Sequence, residues 1–275
     1  MLKRTAVYLP SGPRKLFTLL SLPEGSAKGV VVHVPAFAEE MNKSRRMVTL
    51  ATEGLVADGW AVVVFDFSGC GDSSEMLEHV DWEMWVEDLD TVFNWVGVTF
   101  PGLAVNLWCL RGGALIASDW LGRAQRLSGA LLLWQPVLSG KLQLTQFLRL
   151  KAANDMSSDA DARRVMADVR TALSEGKSVD VAGYRLSAKL AEGMNGAAFS
   201  VGENGPLKLA VLEVGGNEDG APSPAVQTAV SKWARDDRVI LCEKVAGPTF
   251  WGTPYIRTVP ALVLATRRML RQWQE

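Results

Sequence analysis

Six short apolar runs constrain this chain more than any other feature: Gly29-VVVHV-Pro35, WAVVVFDF at 60–67, Leu103 to Cys109, Gly129 to Trp134, LKLAVLEV at 207–214, and 238–245. The first is apolar at consecutive positions, which suits a strand buried on both faces. Segments of helical spacing separate most of the runs. Residues 43–57 carry Met47, Leu50, Ala51 and Leu55, and Asp58-Gly59 ends that pattern. From Asp81, a plausible cap, Trp82, Trp85, Val86, Leu89, Val92, Phe93 and Val96 recur every three or four residues. A further helix is expected over Gly112 to Leu121. Strands alternating with helices predict an α/β chain: a mostly parallel sheet with helices on both faces.

Thr5 to Leu9 and Leu16 to Leu22, joined by the turn Pro10-Ser11-Gly12-Pro13, predict an antiparallel opening hairpin. Residues 139–200 lack strand rhythm apart from Val179 to Leu186 and are rich in charge and alanine. They are expected to form a largely helical cap inserted into a core made of 1–138 and 201–275.

At 275 residues and 48% hydrophobic the chain can bury a sizeable core. A net charge of -1 gives no general attraction to nucleic acid or an anionic membrane, so no nucleic-acid partner is expected. No run approaches the roughly 20 apolar residues needed to span a bilayer. Cys70, Cys109 and Cys242 have no metal spacing, and reduced thiols in a cytoplasmic protein are the expectation. No metal site or cofactor is expected, and Gly176-Lys177-Ser178 fails as a phosphate loop because Thr171 stands where its first glycine belongs.

The run LWCLRGGAL at 107–115 is a strand, a tight turn and a helix start with glycine at the fifth turn position. This is the layout of the nucleophile elbow of the α/β-hydrolase fold, whose pattern is G-x-S-x-G. Here the pentapeptide is Cys109-Leu110-Arg111-Gly112-Gly113, and no G-x-S-x-G occurs elsewhere. A guanidinium stays protonated and offers no lone pair for attack. The fold's order is nucleophile, acid, histidine, yet both histidines, His33 and His79, precede the turn. Where the histidine would stand the chain reads Gly247-Pro248-Thr249-Phe250-Trp251. Asp219 is the residual acid, with Glu213 as competitor; without a histidine to orient, either is expected to serve a turn or cap.

Several stretches resemble the type-two hydrolases associated with the exosortase A system, found in bacteria that make exopolysaccharide and sort proteins carrying a PEP-type C-terminal signal. They are Pro35-AFAEEMNKSRRM-Val48, Gly69-CGDS-Ser74, the arginine-bearing turn, Trp134-QPVLSGKLQLTQFLR-Leu150, Val181-AGYRL-Ser187 and Gly247-PTF-Trp251. The resemblance implies an α/β-hydrolase fold and a place in that sorting and exopolysaccharide context, but supplies no substrate.

Arg111 then projects at the C-terminal edge of the sheet beside the amides of Gly112 and Gly113, an arrangement suited to a small anionic or lipid-linked ligand. Phe37 and Ala38 from the loop after the first core strand, Gln135 and Lys141 at the cap entry, and Trp251 complete the binding candidates. Alternatively Arg111 is neutralised internally by Glu39, Glu40 or Asp72, since an unpaired buried charge is very costly. The same three carboxylates are the candidate bases if the chain hydrolyses a substrate or transfers an acyl group, with Arg111 steadying an anion. Asn42-Lys43-Ser44-Arg45-Arg46 reads as a solvated helix start.

Overall fold

A computed structural model describes residues 3–124, 127–154, 159–202, 205–216 and 220–273. Strands β1 (Lys3–Ser11) and β2 (Arg14–Leu22) form the opening hairpin. Pro10 and Ser11 belong to β1, so the turn is only Gly12-Pro13, shorter than the sequence suggests. Pro10 is tolerated because β1 is an edge strand.

The core continues as β3 (Val30–Val34), α1 (Glu39–Ala57), β4 (Ala61–Phe65), α2 (Trp82–Thr99), β5 (Val105–Leu110), α3 (Gly113–Ala124) and β6 (Leu131–Trp134). Between β6 and the next core strand lie α4 (Gly140–Asn154), α5 (Asp159–Ser174), β7 (Val179–Val181), β8 (Tyr184–Leu186) and α6 (Ala188–Gly196). The core then resumes with β9 (Lys208–Gly215), α7 (Pro224–Trp233), β10 (Val239–Ala246) and α8 (Pro260–Gln272). The sheet order is β1-β2-β4-β3-β5-β6-β9-β10, antiparallel at the first two pairings and parallel from β4 onward.

Alternation along the strands feeds two cores. Val30, Val32 and Val34 of β3 and Leu107 and Cys109 of β5 face α2 and α3. Val31, Trp108 and Leu110 face α1 and α8. The helices thus lie on both faces, as parallel strands buried on both sides require. Asp81 caps α2 by accepting from Met84 N at 2.9 Å.

Two sequence expectations need correction. The strand-like stretch Val179 to Leu186 is a small antiparallel hairpin, β7 and β8, turning at Ala182-Gly183, both at positive φ. Helix α1 begins four residues before the expected start, so Glu39 and Glu40 occupy its first turn rather than a loop. Acidic side chains there suit the positive end of the helix dipole. In the stretch 42–46, Asn42, Arg45 and Arg46 are exposed as expected, while Ser44 is buried; Asn42 also donates to Tyr184 Oη at 2.8 Å and Arg45 reaches Asp66 at 3.3 Å.

Candidate functional site

The parallel strands β3, β5 and β6 end side by side, with Val34 opposite Cys109 and Leu110 opposite Trp134. Arg111 follows directly at φ 52, in the left-handed region. Its N–H donates to the Trp134 carbonyl at 3.0 Å, and its own carbonyl accepts from Val137 N at 3.2 Å. The backbone is therefore stitched to the end of β6 while α3 departs. Gly113 explains why the turn needs glycine: a Cβ there would lie 2.5 Å from the carbonyl oxygens of both Val34 and Pro35. Backbone at that distance cannot yield as a side chain would.

The guanidinium is not left open. Its Nε and Nη2 donate to Glu40 Oε1 at 3.1 and 2.9 Å, and Nη1 reaches the Gln135 carbonyl at 3.5 Å. The Trp251 ring lies 5.2 Å from the guanidinium carbon, within cation–π range. The other Glu40 oxygen accepts from Gln143 Nε2 at 3.2 Å. The Arg111 and Glu40 side chains are 14% and 21% exposed, so the pair is largely withdrawn from water. Opposite charges cancel, and both carboxylate oxygens are engaged.

Of the three carboxylates expected near Arg111, the structure brings one. Glu39 turns away to accept from Tyr184 Oη at 2.9 Å, with Lys43 at 3.8 Å. Asp72 is exposed and uses only its backbone N–H, which donates to Asp66 Oδ2 at 3.1 Å. Phe37 and Ala38 lie where expected: Ala38, at φ 51, turns the chain into α1, and Phe37 packs at 4.7 Å on Phe147 and 5.8 Å on Trp85. Phe37, Gly112, Gly113 and Gln143 line a small cavity of about 10 Å³, room for about one water molecule. Gln135, at φ 43, also accepts from Val214 N through its side chain at 2.7 Å. Lys141 lies elsewhere, exposed in a groove of about 740 Å³ between α4, α5 and α6 that Arg111 does not line.

His33 is buried in β3, with Nδ1 3.1 Å from the Trp108 carbonyl, and burial pushes it down to about 3, so it is neutral. His79 is exposed in the 3-10 turn Leu77–His79. The loop after β10 instead presents Trp251 to Arg111, with Phe250 buried between Trp134 and Trp251. Asp219 lies outside the described residues. Glu213 accepts from Ser223 N at 2.5 Å at the start of α7. No thiol is poised as a nucleophile either: burial raises Cys70 to about 12 and Cys242 to about 11, and raises Cys109 as well.

Two residues escaped the sequence reading. Gln143 steadies Glu40; its signal was a polar residue on the apolar α4 stripe with Leu144, Phe147 and Leu148. Asp66, 3% exposed and held by Arg45, was visible as the lone carboxylate in WAVVVFDF.

Residues 25–236 match the family model described as serine aminopeptidase, S33. The chain belongs to that family. It is part of the α/β-hydrolase superfamily, and solved structures agree on the fold. Est1E of Butyrivibrio proteoclasticus with ferulic acid bound superposes with a TM-score of 0.67 at 15% identity, covering 98% of this chain and 99% of that one. The α/β hydrolase GrgF of Penicillium sp. sh18 gives 0.65 at 15% identity, covering 99% of each chain. XC6422 of Xanthomonas campestris, described as a serine hydrolase without lid, gives 0.57 at 17% identity over 98% and 95%. No curated protein matches the chain. Among the described residues no helix is long and apolar enough to cross a membrane.

Proposed function

We propose that this family member has given up serine hydrolysis and acts in the cytoplasm as a binding protein for an anionic or lipid-linked ligand, or for a partner, in an exosortase A and exopolysaccharide context. The observation that carries the reading is the Arg111–Glu40 pair on the turn after β5. A serine hydrolase exposes its nucleophile there and orients it with a histidine. Here the position is filled by a cation already spent on an internal carboxylate, and Trp251 stands over it. Glu40 takes Nε and one Nη2 proton, so a foreign anion meets Arg111 through the remaining Nη protons or by displacing Glu40. The insertion at 139–200 acts as a cap, and through Gln143 it contributes to holding the pair. The context rests on the sequence resemblance alone.

One observation favours a second reading, hydrolysis with Glu40 as base. The cavity beside Gly112 and Gly113 holds space for about one water, and Gln143 Oε1 is buried without a partner among the described residues.

A serine-reactive fluorophosphonate and a panel of p-nitrophenyl esters test both readings. No serine is expected to label and no ester to turn over above buffer. Labelling that disappears on heating overturns the proposal. Turnover without labelling, abolished by Glu40→Gln and by Arg111→Met, moves the assignment to the second reading.

A further inference from the structure

On the face of the sheet opposite α2 and α3, a cavity of about 150 Å³ lies beneath α1, against β2, β4 and β3. Its walls include Leu19, Val48, Val64 and Leu110, which are apolar, and its mouth is marked by the exposed Arg4 and Arg45. Its polar lining includes the ring of His33, 2% exposed, and Thr52, 3% exposed, whose buried Oγ1 has no partner among the described residues; the hydroxyls of Ser44 and Thr49 donate to backbone carbonyls of α1. His33 Nδ1 faces the Trp108 carbonyl at 3.1 Å, and a carbonyl can only accept, so Nδ1 carries the proton. Nε2 is left as a lone-pair acceptor, and no partner for it exists among the described residues. At the mouth Arg45 pairs with Asp66 and Arg4 with Glu53, each at 3.3 Å, and these pairs leave no spare charge.

Those features specify a ligand. The site has no net charge to attract an ion, and its walls reward an apolar body. His33 Nε2 asks for a hydrogen-bond donor and the Thr52 hydroxyl for a polar partner, and one hydroxyl group offers both. An engineered protein cavity of about 150 Å³ is known to hold benzene, so a six-membered ring sets the scale. We propose that this cavity binds a small neutral hydroxyl compound of phenol size, the hydroxyl donating to His33 Nε2 and the ring lying against Leu19, Val48, Val64 and Leu110. The site does not depend on what happens at Arg111, because none of its contacts uses the Arg111–Glu40 pair.

Titration calorimetry of the intact protein with phenol, toluene and benzoate tests this. Phenol is expected to bind one to one with a Kd of about 1 mM or tighter, the range open to so small a ligand. Toluene, of the same size but without a donor, leaves Nε2 unpaired and binds at least about tenfold more weakly, as does benzoate, whose charge is desolvated without a free counter-ion. In His33→Phe the advantage of phenol over toluene disappears. Val48→Phe fills the cavity from α1 and removes binding of both, with thermal melting showing that the variant folds; should it not fold, the His33→Phe comparison stands alone. Absence of phenol binding, as for a cavity that holds only water, overturns the proposal. So does equal affinity for phenol and toluene in the unmodified protein, or binding that survives Val48→Phe.

Discussion

Arg111 combines two unfavourable features, a left-handed backbone that costs an L-residue roughly 1–2 kcal/mol and a charge largely removed from water. Both persist because neighbours over-determine the position: Trp134 and Val137 hold its backbone, Glu40 and Trp251 its side chain. Removing one partner of such a pair leaves the other charge stranded, which costs more than the pair itself contributes. Arg111→Met and Glu40→Gln are therefore each expected to destabilise by about 2 kcal/mol in urea unfolding, discounted from the fully buried case because both groups retain some exposure. The double variant should lose clearly less than the sum, with a coupling of about 1 kcal/mol or more. Additive losses would mean that the contact is geometric and carries little energy.

At the scale of elements, the elbow depends on close passage of α3 under the end of β3. Gly113→Ala sets a methyl 2.5 Å from two carbonyl oxygens and is expected to destabilise by about 2–3 kcal/mol in thermal melts, whereas Gly122→Ala, in the same helix with open space around it, should be neutral or slightly stabilising. The elements themselves were largely legible. The doubly buried run VVVHV and the α2 stripe with its Asp81 cap announce strand and helix through burial and a local hydrogen bond, both written in adjacent residues. What was not legible depends on long-range choices. Three carboxylates were equally available to Arg111 in sequence, and only the early start of α1 turns Glu40 inward while Glu39 faces Tyr184. Gln143 lies 103 positions from Glu40 along the chain, and no periodicity encodes that meeting. The strand rhythm over Val179 to Leu186 was visible, but not its division into β7 and β8, because the turn uses Ala182 at φ 48 rather than the more usual Asn or Gly.

For the molecule as a whole, acid is the condition that separates its parts, because two groups on the α1 side of the sheet depend on pH in different windows. His33 is held neutral by burial with its value down at about 3, so the unfolded chain binds a proton that the folded one refuses between about pH 6.5 and 3. Stability falls there as pH falls, by up to about 1.4 kcal/mol per pH unit where the difference is complete. Asp58, which joins the end of α1 to α8, accepts from Arg267 Nε and Nη2 at 2.7 Å each and from Arg271 Nη2 at 2.6 Å. The hydrogen bonds from Arg267, against an opposing burial effect and helped by Arg271, lower its carboxyl from 3.8 to about 2. A depressed carboxylate contributes stability that is complete above its unfolded value and is lost as pH falls through the folded one. Its side chain is 8% exposed, but Arg271 is 56% exposed, so screening reduces the contribution to about 1–2 kcal/mol. Urea unfolding of the unmodified protein and of Asp58→Asn, followed from pH 7 to pH 2, should give curves separated by a constant amount down to about pH 5. They should converge between about pH 4 and 2, while both slope downward from about pH 6 because His33 is common to them. A separation that stays constant to pH 2 would show that Asp58 holds α1 to α8 by hydrogen bonds indifferent to its charge.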